Sequence, residues 1–178
     1  MKSEPSSILL VTGIMASGKS TVAQLLAERF EKSVHVRGDL YRRMIVNDRL
    51  EVRPDAGSEE LDQLRLRYRL AAQTAETYRD AGFTVVVQDV VIGSMLNEFL
   101  SYVRSRPFYV VVLCPDPTAV AAREAGRAKK GYGAWTVEAL DRVLREETPR
   151  VGLWLDSSAL TPSETVEAIL AKLEEGAV

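Results

Sequence analysis

Eight residues, Gly13-Ile14-Met15-Ala16-Ser17-Gly18-Lys19-Ser20, restrict this chain more than any other stretch. Before them runs Ile8-Leu9-Leu10-Val11, a short apolar block without helical spacing. After them Val22, Ala23, Leu25, Leu26 and Phe30 are apolar at helical intervals. Strand, glycine turn, helix is the setting in which G-x-x-x-x-G-K-[ST] binds phosphate. Gly13 and Gly18 let the backbone curl so that successive N–H groups converge on one concavity. The helix N-terminus adds its partial positive charge to the same point. Lys19 would place an ammonium between the outer phosphates, and the Ser20 hydroxyl would ligate Mg²⁺. The expected phosphate-binding set is Gly13, Ala16, Ser17, Gly18, Lys19, Ser20 and Thr21. The competing reading is a glycine-bearing turn that carries Lys-Ser by accident. Four constrained positions recur by chance in roughly one chain of this length in a few hundred, and the flanking strand and helix lower that further.

Composition excludes several other chemistries. At 178 residues the chain suits one well-packed domain, taken here as 1–178, with residues 1–6 as a polar, flexible N-terminus. A net charge of −2 supplies no basic field for duplex nucleic acid or an anionic membrane. Cys114 and His35 are each the sole residue of their type, which argues against disulfides, thiolate or imidazole metal sites and Ser/His hydrolysis. The polar N-terminal heptad has no signal core, and no apolar run reaches membrane-spanning length. A cytoplasmic, reduced, soluble protein is expected.

Short β-type blocks alternate with longer helical patterns, which predicts an α/β fold with a parallel sheet. The second strand is expected at Val34–Val36 and a helix over 40–48, followed by a turn-rich stretch from Asn47 to Ser58. Ser58 reads as an N-cap with Glu59 and Glu60 behind it. Leu61, Leu64, Tyr68, Ala71, Ala75 and Tyr78 then give a helix of about six turns, stopped by Gly82. The unbroken run Phe83–Val87 predicts a central strand buried on both faces. Further helices are expected from Ser94 to Arg104, from an opening at Pro115-Asp116-Pro117, from Val137 to Glu147 and from Thr161-Pro162, with strands at Phe108–Leu113 and Val151–Leu155.

Strand ends nominate the remaining site residues. Asp39 lies at the C-terminal end of the second strand, where open parallel sheets bind ligands. There it can serve as a general base toward a hydroxyl, or simply as an N-cap. Asp89 ends the strongest strand, a position suited to holding Mg²⁺ directly or through water. Arg123 and Arg127, four apart, share one helix face beside the basic, glycine-rich stretch Gly126–Gly133. They can offset charge on phosphates or form an ordinary solvated face. Arg42, Arg43, Arg53 and Arg150 are candidates for an anionic acceptor, whereas Lys129 and Lys130 read as solvated. Tyr68 and Tyr78 read as packing residues, with Tyr68 a possible liner of an acceptor pocket.

Together these segments resemble the P-loop kinase family of small phosphotransferases, among them chloramphenicol phosphotransferase and the gluconate and shikimate kinases. The resemblance is carried by Gly13–Ser20, Arg37-Gly38-Asp39, Val87-Gln88-Asp89, Ala122–Arg127 and Asp156–Thr161. It implies a three-layer P-loop NTPase fold with a five-stranded parallel sheet in the order 2-3-1-4-5. It also implies an acceptor-binding helical region at about 40–81 and a lid at about 123–135. ATP as donor and Mg²⁺ follow from it, with Lys19, Asp39, Arg123 and Arg127 as the catalytic set and Ser20 and Asp89 at the metal. Relatives often carry an acid where this chain has Gln88, so Asp89 stays open between metal and acceptor. Ser157–Thr161 would lie beneath the adenine. The activity implied is ATP-dependent transfer of the γ-phosphoryl group to a hydroxyl of a small, antibiotic-like or metabolite acceptor. A nucleoside, nucleotide or nucleic-acid-end kinase is one alternative. A non-catalytic nucleotide-dependent switch is another, although the Asn-Lys-x-Asp signature of guanine recognition is absent.

Overall fold

The apolar run ending at Val87 forms β3 (Thr84–Gln88), flanked on both sides by parallel strands. A computed structural model describes residues 6–128 and 132–178. The expected flexible N-terminus therefore lies outside the described residues except for Ser6, as do Lys129, Lys130 and Gly131 of the expected lid.

Five strands, β1 (Ile8–Thr12), β2 (Ser33–Arg37), β3, β4 (Phe108–Leu113) and β5 (Leu153–Leu155), form one sheet in the order β2-β3-β1-β4-β5. All four pairings are parallel, as the alternation of strand and helix predicts. Successive residues of β1 point to opposite cores. Leu9 and Val11 pack with α1 (Lys19–Ala27) and α7 (Pro162–Ala171). Ile8 and Leu10 pack with α3 (Ser58–Asp80), α4 (Met95–Tyr102) and the buried side chains Val120 and Leu140 of α5 (Pro117–Ala125) and α6 (Val137–Arg142). Two covered faces explain why these strands read as continuous apolar blocks rather than as alternating ones. No helix among the described residues is long and apolar enough to cross a membrane.

Several boundaries differ from the expectation. The helix foreseen over 40–48 is the short α2 (Asp39–Arg43), and Asp48 takes φ +62 in the loop that follows. Ser58 is the first helical residue rather than the N-cap. Gly57 holds that place, and its N–H donates to Glu60 Oε2 at 3.0 Å. The helix from Val137 is regular only to Arg142 and continues as a wider π turn over Val143–Glu147. Tyr78 packs edge-to-face on Phe83 yet stays exposed.

β5 is two residues shorter at its start than expected, and just before it Gly152 takes φ +79 beside Val110. A Cβ there would collide with the Val110 carbonyl oxygen, and positive φ strains any other L residue. Gly152→Ala should therefore cost about 2–3 kcal/mol and lower Tm by roughly 5–10 °C, with nucleotide affinity intact. Thermal unfolding beside a nucleotide titration checks this, and an unchanged Tm contradicts it.

Candidate active site

The strand–turn–helix at the N-terminus builds an open phosphate loop. Gly13 sits at φ +153, and a Cβ on it would lie 2.6 Å from Leu113 O and 2.8 Å from Ser17 Oγ. Only glycine lets β1 turn so close to the end of β4. Ala16 is held at φ +62, an unusual conformation for a residue with a Cβ and of a kind that clusters at ligand sites. Ala16, Gly18, Lys19, Ser20 and Thr21 line the main cleft, with Ser17 buried beneath them.

Lys19 is buried and donates from Nζ to Ile14 O at 2.7 Å within the loop itself. Burial pulls its pKa from 10.5 down to about 7. Asp89 partly opposes this, and Arg127 and Arg67 add to it. An ammonium so weakly compensated is poised to take up phosphate oxygens. Ser20 Oγ donates to Gln88 Oε1 at 3.3 Å, so Gln88 faces the expected metal ligand.

Asp89 is turned the other way. Arg67 of α3 donates from Nε to its Oδ2 at 2.8 Å and from Nη2 to Oδ1, and Val90 N donates to Oδ1 at 2.8 Å. The Asp89 side chain is 1% exposed and that of Arg67 15%, so this is a buried bidentate pair. It forms because Gly38 has no Cβ, which would otherwise collide with Asp89 Oδ2.

Asp39 opens α2 and faces the same cleft. Its Oδ1 accepts from Arg42 Nε at 3.1 Å and its Oδ2 from Arg43 Nε, while Arg67 Nη1 stands 4.0 Å away. Partial burial alone would raise its pKa. The Arg42 hydrogen bond and the charges of Arg42, Arg67 and Arg43 outweigh that and hold it below the usual value. Asp39 is thus a carboxylate at neutral pH. Arg67 lies between the two acids, and no motif or spacing in the sequence singles it out. The available signal was Asp89 itself, since an acid ending an otherwise apolar buried strand requires a cation.

Arg123 donates to Ser17 O at 3.2 Å and Ser157 O at 2.9 Å, tying the phosphate loop to the loop after β5. Arg127 lines the cleft and pairs with Glu124 at 3.1 Å. Beyond it, Tyr132 donates to Met15 O at 2.6 Å and the Trp135 indole to Val52 O at 3.0 Å. One short turn therefore bridges the phosphate loop and the loop that follows α2. Among the other candidate arginines, Arg42 also pairs with Glu51, and Arg53 is exposed in the cleft. Arg150 is outside it, stacked 3.9 Å over Trp154. Tyr68, donating to Val90 O at 2.6 Å, is buried as a packing residue and also lines the cleft.

The cleft spans about 1510 Å³, from the phosphate loop past Asp39 to α3. Ordinary single-ligand pockets run to about 1,000 Å³, so this one has room for two reactants side by side.

The profile of a family described as an AAA domain matches residues 8–149, most of the chain. No curated protein matches the sequence. Solved structures similar in fold include a sugar kinase from Janibacter sp., with 16% identity, TM-score 0.71, and 96% of this chain and 95% of that one covered. The APS kinase of Mycobacterium tuberculosis in complex with AMPPNP and APS is 20% identical, with TM-score 0.66 over 96% and 98% of the two chains. The tunicamycin resistance protein of Deinococcus radiodurans is 17% identical, with TM-score 0.64 over 94% and 95%. These likenesses concern the five-stranded parallel fold.

Proposed function

Because this chain belongs to the AAA-domain family, we propose that it is an ATP-dependent kinase that transfers the γ-phosphoryl group to a hydroxyl of a small organic acceptor. The observation that carries this reading is the single cleft in which an ionised Asp39 faces the phosphate loop across space for a second molecule. The solved kinases of like fold support it.

Residues of the donor half suit a nucleoside triphosphate. The Ser17 and Ser157 hydroxyls are buried with no hydrogen-bond partner among the described residues, on either side of Arg123. Lys19, Arg123 and Arg127 bring positive charge to the phosphates. Ser20 Oγ and Gln88 Oε1 are hard oxygen donors that fit Mg²⁺, whereas the Asp89 oxygens are taken by Arg67 and Val90. When bound, Mg²⁺ offsets the charge of the outer phosphates.

In the acceptor half, Asp39 stands just before the region 40–81 and faces the incoming hydroxyl. The acceptor oxygen forms its bond to the γ-phosphorus as the bond from that phosphorus to the bridging oxygen of ADP breaks, and the hydroxyl proton passes to Asp39. A depressed pKa makes Asp39 a weak base, which suits a loose transition state in which the proton leaves late. Arg42, Arg43 and Arg67 hold the carboxylate in place. Arg123 and Arg127 would close on the phosphates from one side of the cleft.

Asp39→Asn tests this assignment. It keeps the shape of the side chain and removes the base, so kcat should fall by about 10²–10⁴-fold with nucleotide affinity unchanged. Product formation from ATP followed by phosphorus NMR, beside calorimetric nucleotide titration, reads both quantities. Undiminished kcat in the variant would remove Asp39 from the chemistry.

A further inference from the structure

We propose that the acceptor is an uncharged alcohol with a bulky apolar body, seated on Leu40, Leu66 and Leu70. This rests on the kinase reading of the site and names the substrate class for it.

Exposed apolar side chains are unevenly placed in this molecule. Among the described residues, the large ones are Leu40 (50% exposed), Met44 (65%), Val46 (90%), Leu66 (43%), Leu70 (36%) and Tyr78 (42%). All but Tyr78 fall between residues 40 and 70, on α2, the loop after it and one side of α3. Leu66 and Leu70 are one helical turn apart and share a face. Leu40 joins them because Tyr41 OH donates to Thr74 Oγ1 at 2.6 Å, which holds α2 against α3. Leu40, Leu66 and Leu70 all line the cleft that contains Asp39. Single exposed leucines need no explanation, but a cluster that opens into a ligand cleft does.

Charge on this side is largely cancelled from within. Arg42 is matched by Asp39 and Glu51, Arg43 by Asp39, and Arg67 by Asp89. A strongly anionic acceptor would have to compete with these carboxylates for the guanidinium groups. An apolar body displaces water from the leucines and asks nothing of the ion pairs. Arg37, Arg53 and Arg142 are exposed in the cleft and are the residues an anionic acceptor would use instead.

The test uses the full chain and begins with calorimetric binding of a non-hydrolysable ATP analogue. Phosphoryl transfer is then measured with two matched sets of alcohols, one uncharged with aromatic or branched aliphatic bodies, the other sugar acids and phosphorylated polyols. The proposal expects kcat/KM at least about tenfold higher for the uncharged, apolar set. It further expects Leu66→Glu/Leu70→Glu to raise the acceptor KM by about tenfold or more, with the ATP KM unchanged. Leu66→Met/Leu70→Met should keep the wild-type value, which separates lost apolar contact from lost helix. Preference for the anionic set, or an acceptor KM untouched in the double glutamate variant, overturns the proposal and leaves the kinase reading standing. If the glutamates abolish a concentration-dependent dimer while KM holds, the patch is an interface between copies and the proposal falls. Nucleotide binding without transfer to either set removes the kinase reading and this inference with it.

Discussion

Lys19→Met should cut phosphoryl transfer by about 10²–10³-fold while making the nucleotide-free protein more stable. Methionine matches the length of the lysine stem and carries no charge. On the catalytic side, removing one preorganised cation from the phosphates costs about 10²–10³-fold in kcat, and triphosphate affinity falls with it. Stability moves the other way because burial lowers the Lys19 pKa from 10.5 to about 7. Between these values the unfolded chain binds a proton that the folded one does not, so wild-type stability rises with pH across the window and the penalty is present in full below about 7. The methionine variant lacks this contribution. Its Tm should exceed the wild-type value most at pH 6–7, and the gap should close toward pH 10. Triphosphate reverses the shift by supplying negative charge, so nucleotide binding above pH 7 should take up a proton, visible as a buffer-dependent enthalpy of binding. A variant that transfers at the wild-type rate, or a Tm difference that does not vary with pH, contradicts the assignment.

The second large effect concerns Asp89 and Arg67. Asp89→Ala leaves the Arg67 guanidinium buried without its bidentate partner. Breaking a buried pair in this way costs about 3–5 kcal/mol, a Tm loss of about 10 °C or more in a chain of this size. Arg67→Met/Asp89→Ala removes both charges and should recover most of the loss, because the desolvation penalty disappears with the pair. Urea unfolding of wild type, both single variants and the double closes the cycle. Additive single effects would show that the two groups do not act together.

Much of the site was legible in the sequence because its signals are local. The phosphate loop is defined within eight residues, and its glycines answer to backbone geometry that Gly13 and Gly18 display at φ +153 and +95. Asp39 and Asp89 were legible through topology, since parallel strands present their C-terminal ends at one edge and both residues lie just beyond such ends. Helix limits were less legible. The expected helix over 40–48 stops at Arg43, and Asp48 turns the chain at φ +62, in a loop held by Gln63 through Leu50 N at 2.7 Å and Asp48 O at 3.0 Å. Nothing within a few residues of Arg43 announces that tether.

Local signals suffice for a parallel α/β sheet with a phosphate-binding loop at the end of its first strand. Backbone sterics, apolar periodicity and turn chemistry act over a few residues and need no partner. Which groups meet at the site depends on long-range packing. Arg67 reaches Asp89 across 22 residues because α3 packs on β3. Tyr132 reaches Met15 across 117 residues, and Trp135 reaches Val52 across 83. Such pairs depend on where crossovers and sheet order bring distant segments together, and no local pattern encodes them. The same packing turned Gln88 toward Ser20 and Asp89 toward Arg67, since neighbouring residues at a strand end face opposite sides of the sheet.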